Sequence, residues 1–121
     1  MKVMIAEDNA LISLALETLV EDLGHTCASP AATAGEALEI ARAEAPDLAI
    51  VDLGLADGWA GDSLVDELHA LGLVSLIVSG QAEYYEPPAH VAAVFTKPVN
   101  EKALAAEIAR IARDGAGDAS G

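Results

Sequence analysis

A doubly wound α/β domain with a five-stranded parallel sheet is predicted by three observations. Short apolar runs alternate with helix-period segments, one run is apolar on both faces, and acidic residues gather where the runs stop. Strands joined through helices need right-handed crossovers, which place helices on both faces of the sheet. Lys2-Val-Met-Ile-Ala6 is the first strand, too brief for a helix and closed by Glu7-Asp8-Asn9. From Ala10 to Leu23 the apolar positions Ile12, Ala15, Leu16, Leu19, Val20 and Leu23 recur at three and four, with Asn9 placed to cap the start and Gly24 the end. Thr26 to Ser29 is a weak second strand ended by Pro30. Thr33-Ala-Gly-Glu36 has capping-box spacing for a second helix, which carries Ala34, Ala37, Leu38 and Ala41 on one stripe and stops before Pro46.

Asp47-Leu-Ala-Ile-Val-Asp52 is nearly all apolar between two acids, which suits a central strand covered on both faces. A loop rich in Gly and Asp runs from Leu53 to Gly61, and Leu64, Val65, Leu68 and Leu71 mark a third helix closed by Gly72. Val74 to Val78 is the fourth strand. Pro87-Pro88 prevents a continuous helix across the next segment, so the fourth helix is expected to be shortened or irregular. Ala92 to Thr96 is the fifth strand, and Glu101 to Arg113 is an Ala-rich helix with Leu104, Ile108 and Ile111 facing inward. Residues 1–113 read as one domain and 114–121 as a flexible tail.

The chain has 121 residues, of which 53% are apolar, and a mean hydropathy of +0.36, so it is expected to fold around one core. Twenty Asp plus Glu against six Lys plus Arg give a net charge of −14, which opposes binding to nucleic acid and anionic membranes. The single Cys27 makes no internal disulfide and is expected to pack as a small apolar residue, and the Met1 to Ala6 start carries no signal-peptide pattern, so a cytoplasmic location is expected. His25, His69 and His90 lack ligand spacing and are assigned no role.

Open parallel sheets carry their functional groups at the carboxyl ends of the strands, where strand order reverses. Here those ends hold Glu7-Asp8, Asp52, Ser79 and Lys97-Pro98. Three carboxylates gathered at one edge repel one another unless a cation neutralises them. All-oxygen ligation with retained waters suits Mg2+ and not zinc, which favours Cys or His. A carboxylate beside an ammonium and a hydroxyl is equipped to accept a phosphoryl group, and Asp52, at the end of the central strand, is the expected nucleophile.

This arrangement resembles the receiver domain of two-component response regulators, of the single-domain chemotaxis type. The resemblance covers the folded chain and rests on Glu7-Asp8, the lone Asp52, Ser79-Gly80 and Thr96-Lys97-Pro98 in order. It implies a flavodoxin-like fold and a phosphoprotein switch, not a turnover enzyme, with Asp52 phosphorylated by a sensor histidine kinase or a histidine phosphotransfer protein. It implies that Asp8 and Asp52 bind magnesium directly with the carbonyl of Gly54, and that Glu7 acts through water. Lys97 then binds the incoming phosphoryl group, Ser79 donates to it after transfer, and the Lys97-Pro98 bond is cis. Output passes to a downstream protein that the sequence does not identify, and self-association into a homodimer stays open. By the same resemblance Gln81 is placed to tune hydrolysis.

The chain departs from the family pattern at three places. Val94 stands where an aromatic residue is usual, the stretch between Ser79 and Lys97 is short, and the loop Leu53-Gly-Leu-Ala-Asp-Gly-Trp59 lacks its customary proline. Trp59 is expected to be exposed or to face a partner, while Tyr84 and Tyr85 either cover the sheet edge or form a recognition pair. Two competing readings are a degenerate receiver that serves as a phosphorylation-independent interaction module and a small-ligand carrier. Against the carrier stands the absence of a Gly-rich phosphate loop after the first strand.

Overall fold

The computed structural model describes residues 1–59, 61–80, 82 and 85–120, with the side chains of 59, 61, 62 and 115–120 outside that description. Gln81 and Tyr84 therefore lie outside the described residues, as does the side chain of Trp59.

Chain order is β1 (Lys2–Ala6), α1 (Ala10–Asp22), β2 (Thr26–Cys27), α2 (Ala34–Glu44), β3 (Leu48–Val51), β4 (Gly54–Leu55), β5 (Gly58–Trp59), α3 (Gly61–Ala70), β6 (Val74–Ser79), β7 (Val91–Thr96) and α4 (Glu101–Ser120). Five of the strands form one parallel sheet in the order β2-β1-β3-β6-β7. The expected doubly wound sheet is present. Strand order reverses between β1 and β3, and the crevice at such a point is where this architecture places its chemistry.

Alternation along each strand divides the core into two layers. Met4, Ala6, Ala49, Val51 and Ile77 face α2 and α3, where they meet Ala37, Ala41, Leu64, Val65 and Leu68. Val3, Ile5, Leu48, Ile50, Leu76 and Val78 face α1 and α4, where they meet Leu16, Val20, Leu104 and Ile108. Every residue of β3 is buried, as its two-sided apolar run requires. On α1 the expected inward stripe is carried by Leu16 and Val20, while Leu23 lies at the rim and Leu11 and Leu14 are exposed.

The caps explain where the helices start. Asn9 Oδ1 accepts from the N–H groups of Leu11 and Ile12, and Thr33 Oγ1 accepts from Glu36 N–H. Glu36 Oε1 returns to the Ala32 N–H, which places the predicted capping box one residue earlier on its return side than the simplest form. Asn100 Oδ1 accepts from Ala103 N–H at the start of α4. That helix continues past Arg113, where the sequence reading ends it, to Ser120.

The fourth helix was expected to be shortened or irregular, and between β6 and β7 the described residues contain no α-helix. Tyr85 packs on the α2/α3 side of the core, which fits the covering role. The flank of β7 is only half buried along Val91–Phe95. One element was not anticipated. The loop after Asp52 contains a two-stranded antiparallel ribbon, β4-β5, with Gly54 opposite Trp59 and Leu55 opposite Gly58. Gly58 turns it with φ of 117°, a conformation that side chains resist.

Candidate functional site

The sheet brings the acids together through its backbone ladder. Glu7 follows β1 and its N–H donates to Ala31 O at 2.9 Å, while Asp52 follows β3 and its N–H donates to Ala6 O at 2.9 Å. Glu7, Asp8 and Asp52 each offer an oxygen within 4.8 Å of the others, the first and last buried and Asp8 exposed. The donor set is entirely oxygen, with one exposed carboxylate open to water, so it suits a hard dication such as Mg2+ and offers nothing that zinc prefers. Beside it a groove of about 370 Å³ is lined in part by Glu7, Asp8, Glu17 and Glu36.

Lys97 reaches the same point from β7. Its Nζ lies 2.6 Å from Glu7 Oε1 and 3.0 Å from Asp52 Oδ2. The sequence groups Lys97 with the acids at the strand ends, and the structure adds that its ammonium bridges the two buried carboxylates. That pairing spans 90 residues, so no local pattern could announce it. The other oxygens are held as well: Asn9 N–H donates to Glu7 Oε2 at 3.1 Å, and Gly54 N–H donates to Asp52 Oδ1 at 3.2 Å. Gly54 is thereby tied to the Asp52 carboxylate by its amide.

Ser79, at the end of β6, is 1% exposed, and its carbonyl accepts from Lys97 N–H at 3.0 Å. Because Val51 is level with Ile77 across the β3-β6 ladder, Ser79 lies one step beyond Asp52 on the neighbouring strand. The Lys97-Pro98 bond is cis, as expected. Val94 packs on the α2/α3 layer and Phe95 on the opposite one, so the ring next to the usual aromatic position points to the other side of the sheet. His69 and His90 form a parallel stack, with His90 Nε2 2.8 Å from Asp66 Oδ1, away from the acidic site.

Electrostatics follow from the burial. Desolvation pushes the Glu7 carboxyl above its ordinary 4.5, against the opposing pull of Lys97 and the Asn9 N–H. Burial draws the Lys97 ammonium down, but its hydrogen bonds and the charges of Glu7 and Asp52 outweigh that and hold it above 10.5. A carboxyl with a raised folded pKa binds its proton more tightly in the native state than in the unfolded chain. Its contribution therefore favours the fold at low pH and is lost as pH rises from 4.5 through the raised value. In chelator-treated protein the stability of wild type relative to Glu7→Gln is expected to fall with rising pH across that window. Urea unfolding at stepped pH measures it, and a flat or rising difference contradicts the assignment.

No protein-family model matches the chain. It is 34% identical over 110 residues to the phyllosphere-induced regulator PhyR of Methylorubrum extorquens, a match over 85% of this chain and 41% of that protein. The solution structure of the PhyR response regulator REC domain from Erythrobacter litoralis superposes with a TM-score of 0.81 and 32% identity, covering 91% of this chain and 88% of that one. The crystal structure of the anti-anti-sigma factor PhyR from Bartonella quintana gives a TM-score of 0.79 and 29% identity, over 98% of this chain and 51% of that one. The chain thus spans about two-fifths of the length of the curated Methylorubrum relative.

Proposed function

From the premise that the chain belongs to the response regulator receiver family, we propose that it accepts a phosphoryl group on Asp52 from a histidine-phosphorylated partner protein and alters its protein contacts in response. The observation that carries this reading is Lys97 Nζ held 3.0 Å from Asp52 Oδ2 beside the Glu7, Asp8 and Asp52 oxygens. It combines a nucleophile, a cation to meet phosphoryl oxygens and a ligand set for a dication at one strand-end crevice.

In this reading Asp8 and Asp52 would hold Mg2+ together with the Gly54 carbonyl, and Glu7 would act through water. When bound, the ion neutralises charge that spreads over the phosphoryl oxygens. An Asp52 carboxylate oxygen attacks phosphorus in line, forming an O–P bond as the P–N bond to the donor imidazole breaks. The imidazole leaves with that electron pair and takes a proton from solvent. Lys97 exchanges its contact with Asp52 Oδ2 for a phosphoryl oxygen, and Ser79 donates its hydroxyl to another. The result is a switch, since the residues store the phosphoryl group and turn over no substrate.

Output goes through a protein partner in a cytoplasmic setting. The name of the Bartonella relative points to regulators of a sigma factor as the partner class. Among the described residues no helix is long and apolar enough to cross a membrane. A second reading, a receiver that binds its partner without phosphorylation, is favoured by Val94 and by the lack of an α-helix among the described residues between β6 and β7. Intact-mass spectrometry after incubation with acetyl phosphate and Mg2+ separates the two. A single phosphoryl mass gain that chelator prevents is expected, whereas wild type that stays unmodified defeats the phosphoacceptor reading in favour of the second.

A further inference from the structure

The loop that carries Gly54 is fastened to a helix on the far side of the metal corner. Asp57, at the tip of the β4-β5 ribbon, accepts from the N–H of Ala34 at 2.9 Å through Oδ1 and from the N–H of Gly35 at 3.3 Å through Oδ2. Next to it, Ala56 N–H donates to Ala32 O at 3.0 Å. The first turn of α2 thus takes an anionic cap from 22 residues away, in addition to its own Thr33. An acid there also meets the positive end of the helix dipole. The two backbone amides hold the Asp57 carboxylate below its ordinary range, although it remains exposed to solvent.

Two sides of the metal corner are joined by this latch. Gly54 and Asp52 lie three and five residues upstream of Asp57, Gly54 on a ribbon only two pairs long, so fixing the tip leaves the Gly54 peptide little freedom. On the other side, Ala31 receives Glu7 N–H and lies two residues before the Thr33 cap. We propose that Asp57 is a positioning residue for the dication: by capping α2 across the chain it holds the Gly54 backbone in place, and by the same bonds it couples the start of α2 to occupancy of the site. This rests on the functional reading above for the role of the Gly54 carbonyl. It supplies a route from Asp52 to a surface helix that needs neither an aromatic residue at 94 nor a helix between β6 and β7.

The test compares full-length wild type with Asp57→Ala, Asp57→Asn and Thr33→Ala. Mg2+ binding is read by calorimetry, and exchange of the Ala34 and Gly35 amides is read by NMR with and without Mg2+. Asp57→Ala is expected to weaken Mg2+ binding about tenfold, the low end for groups that orient a metal ligand, and to abolish the Mg2+-dependent change at Ala34 and Gly35. Asp57→Asn keeps an acceptor oxygen and is expected to restore most of the affinity. Thr33→Ala frays the same helix end without touching the ribbon and is expected to leave affinity unchanged, which separates positioning from general loosening. Unchanged affinity in Asp57→Ala, or an equal loss in Thr33→Ala, overturns the proposal. Acetyl phosphate labelling of wild type in parallel identifies a failure of the phosphoacceptor reading, because unlabelled protein that still binds Mg2+ through an Asp57-dependent loop defeats that reading alone.

Discussion

Asp52→Asn is expected to take no phosphoryl group from acetyl phosphate, a loss of more than about 100-fold in initial rate on the scale of removing a covalent nucleophile. The substitution is nearly isosteric, and the asparagine Oδ1 can still accept from Gly54 N–H, as Asp52 Oδ1 does at 3.2 Å. The fold should therefore persist, with stability within about 1 kcal/mol of wild type. Lys97 loses one partner but keeps Glu7 Oε1 at 2.6 Å, and the repulsion between two buried carboxylates is removed. Glu7 is poorly suited to substitute as acceptor, since it is 4% exposed and its two oxygens are held by Lys97 and the Asn9 amide. Asp8 is exposed, but its oxygen belongs to the dication's ligand set in this reading. Intact mass and urea unfolding, measured on the same preparation, check both halves. Label retained at the wild-type rate moves the acceptor elsewhere.

Much of this site was legible because a parallel sheet converts sequence order into spatial order. Once apolar runs ending at Ala6, Val51, Val78 and Thr96 are taken as parallel strands, the residues that follow them share one edge, whatever their separation along the chain. The β3 run was also informative, since only a strand covered on both faces tolerates four consecutive buried residues. The pairing within the edge was not legible. Whether Lys97 meets Asp52, Glu7 or both depends on rotamers and on the burial of each acid, and both are set by packing across the sheet.

The ribbon after Asp52 was missed for a different reason. Its strands are two residues long, so no alternation can develop, and Gly54 and Gly58 read simply as loop residues. Asp57 likewise offers no capping signature. Its helix begins 23 residues earlier, and local capping rules look only a few residues from the helix start. The weak second strand is at the limit of legibility: Thr26 and Cys27 pair with Lys2 and Val3, and the backbone reaches the sheet again only at the Ala6–Ala31 bridge.

Lys97→Met is expected to separate the two tasks of the lysine, because stability and chemistry should respond to Mg2+ differently. In the metal-free protein the substitution leaves Glu7 and Asp52 facing each other with their shared cation gone. Breaking a buried pair on one side costs about 3–5 kcal/mol. Here the lysine side chain is 22% exposed, so solvent screens part of the interaction and about 2–3 kcal/mol is the reasonable expectation. Adding Glu7→Gln removes one orphaned charge and should recover about half of that loss, a coupling that a double-mutant cycle reads directly. Saturating Mg2+ should also restore stability, since the dication supplies the missing positive charge and binds only the native state. Phosphoryl transfer should stay slow under the same conditions, by about 100-fold, because a dication among the carboxylates does not replace a donor aimed at the phosphoryl oxygens. Urea unfolding with chelator or with Mg2+, beside acetyl phosphate labelling at saturating Mg2+, measures each part. If Mg2+ rescued the labelling rate along with stability, Lys97 would be a charge balance for the fold and nothing more, and the phosphoryl-binding role would pass to another group.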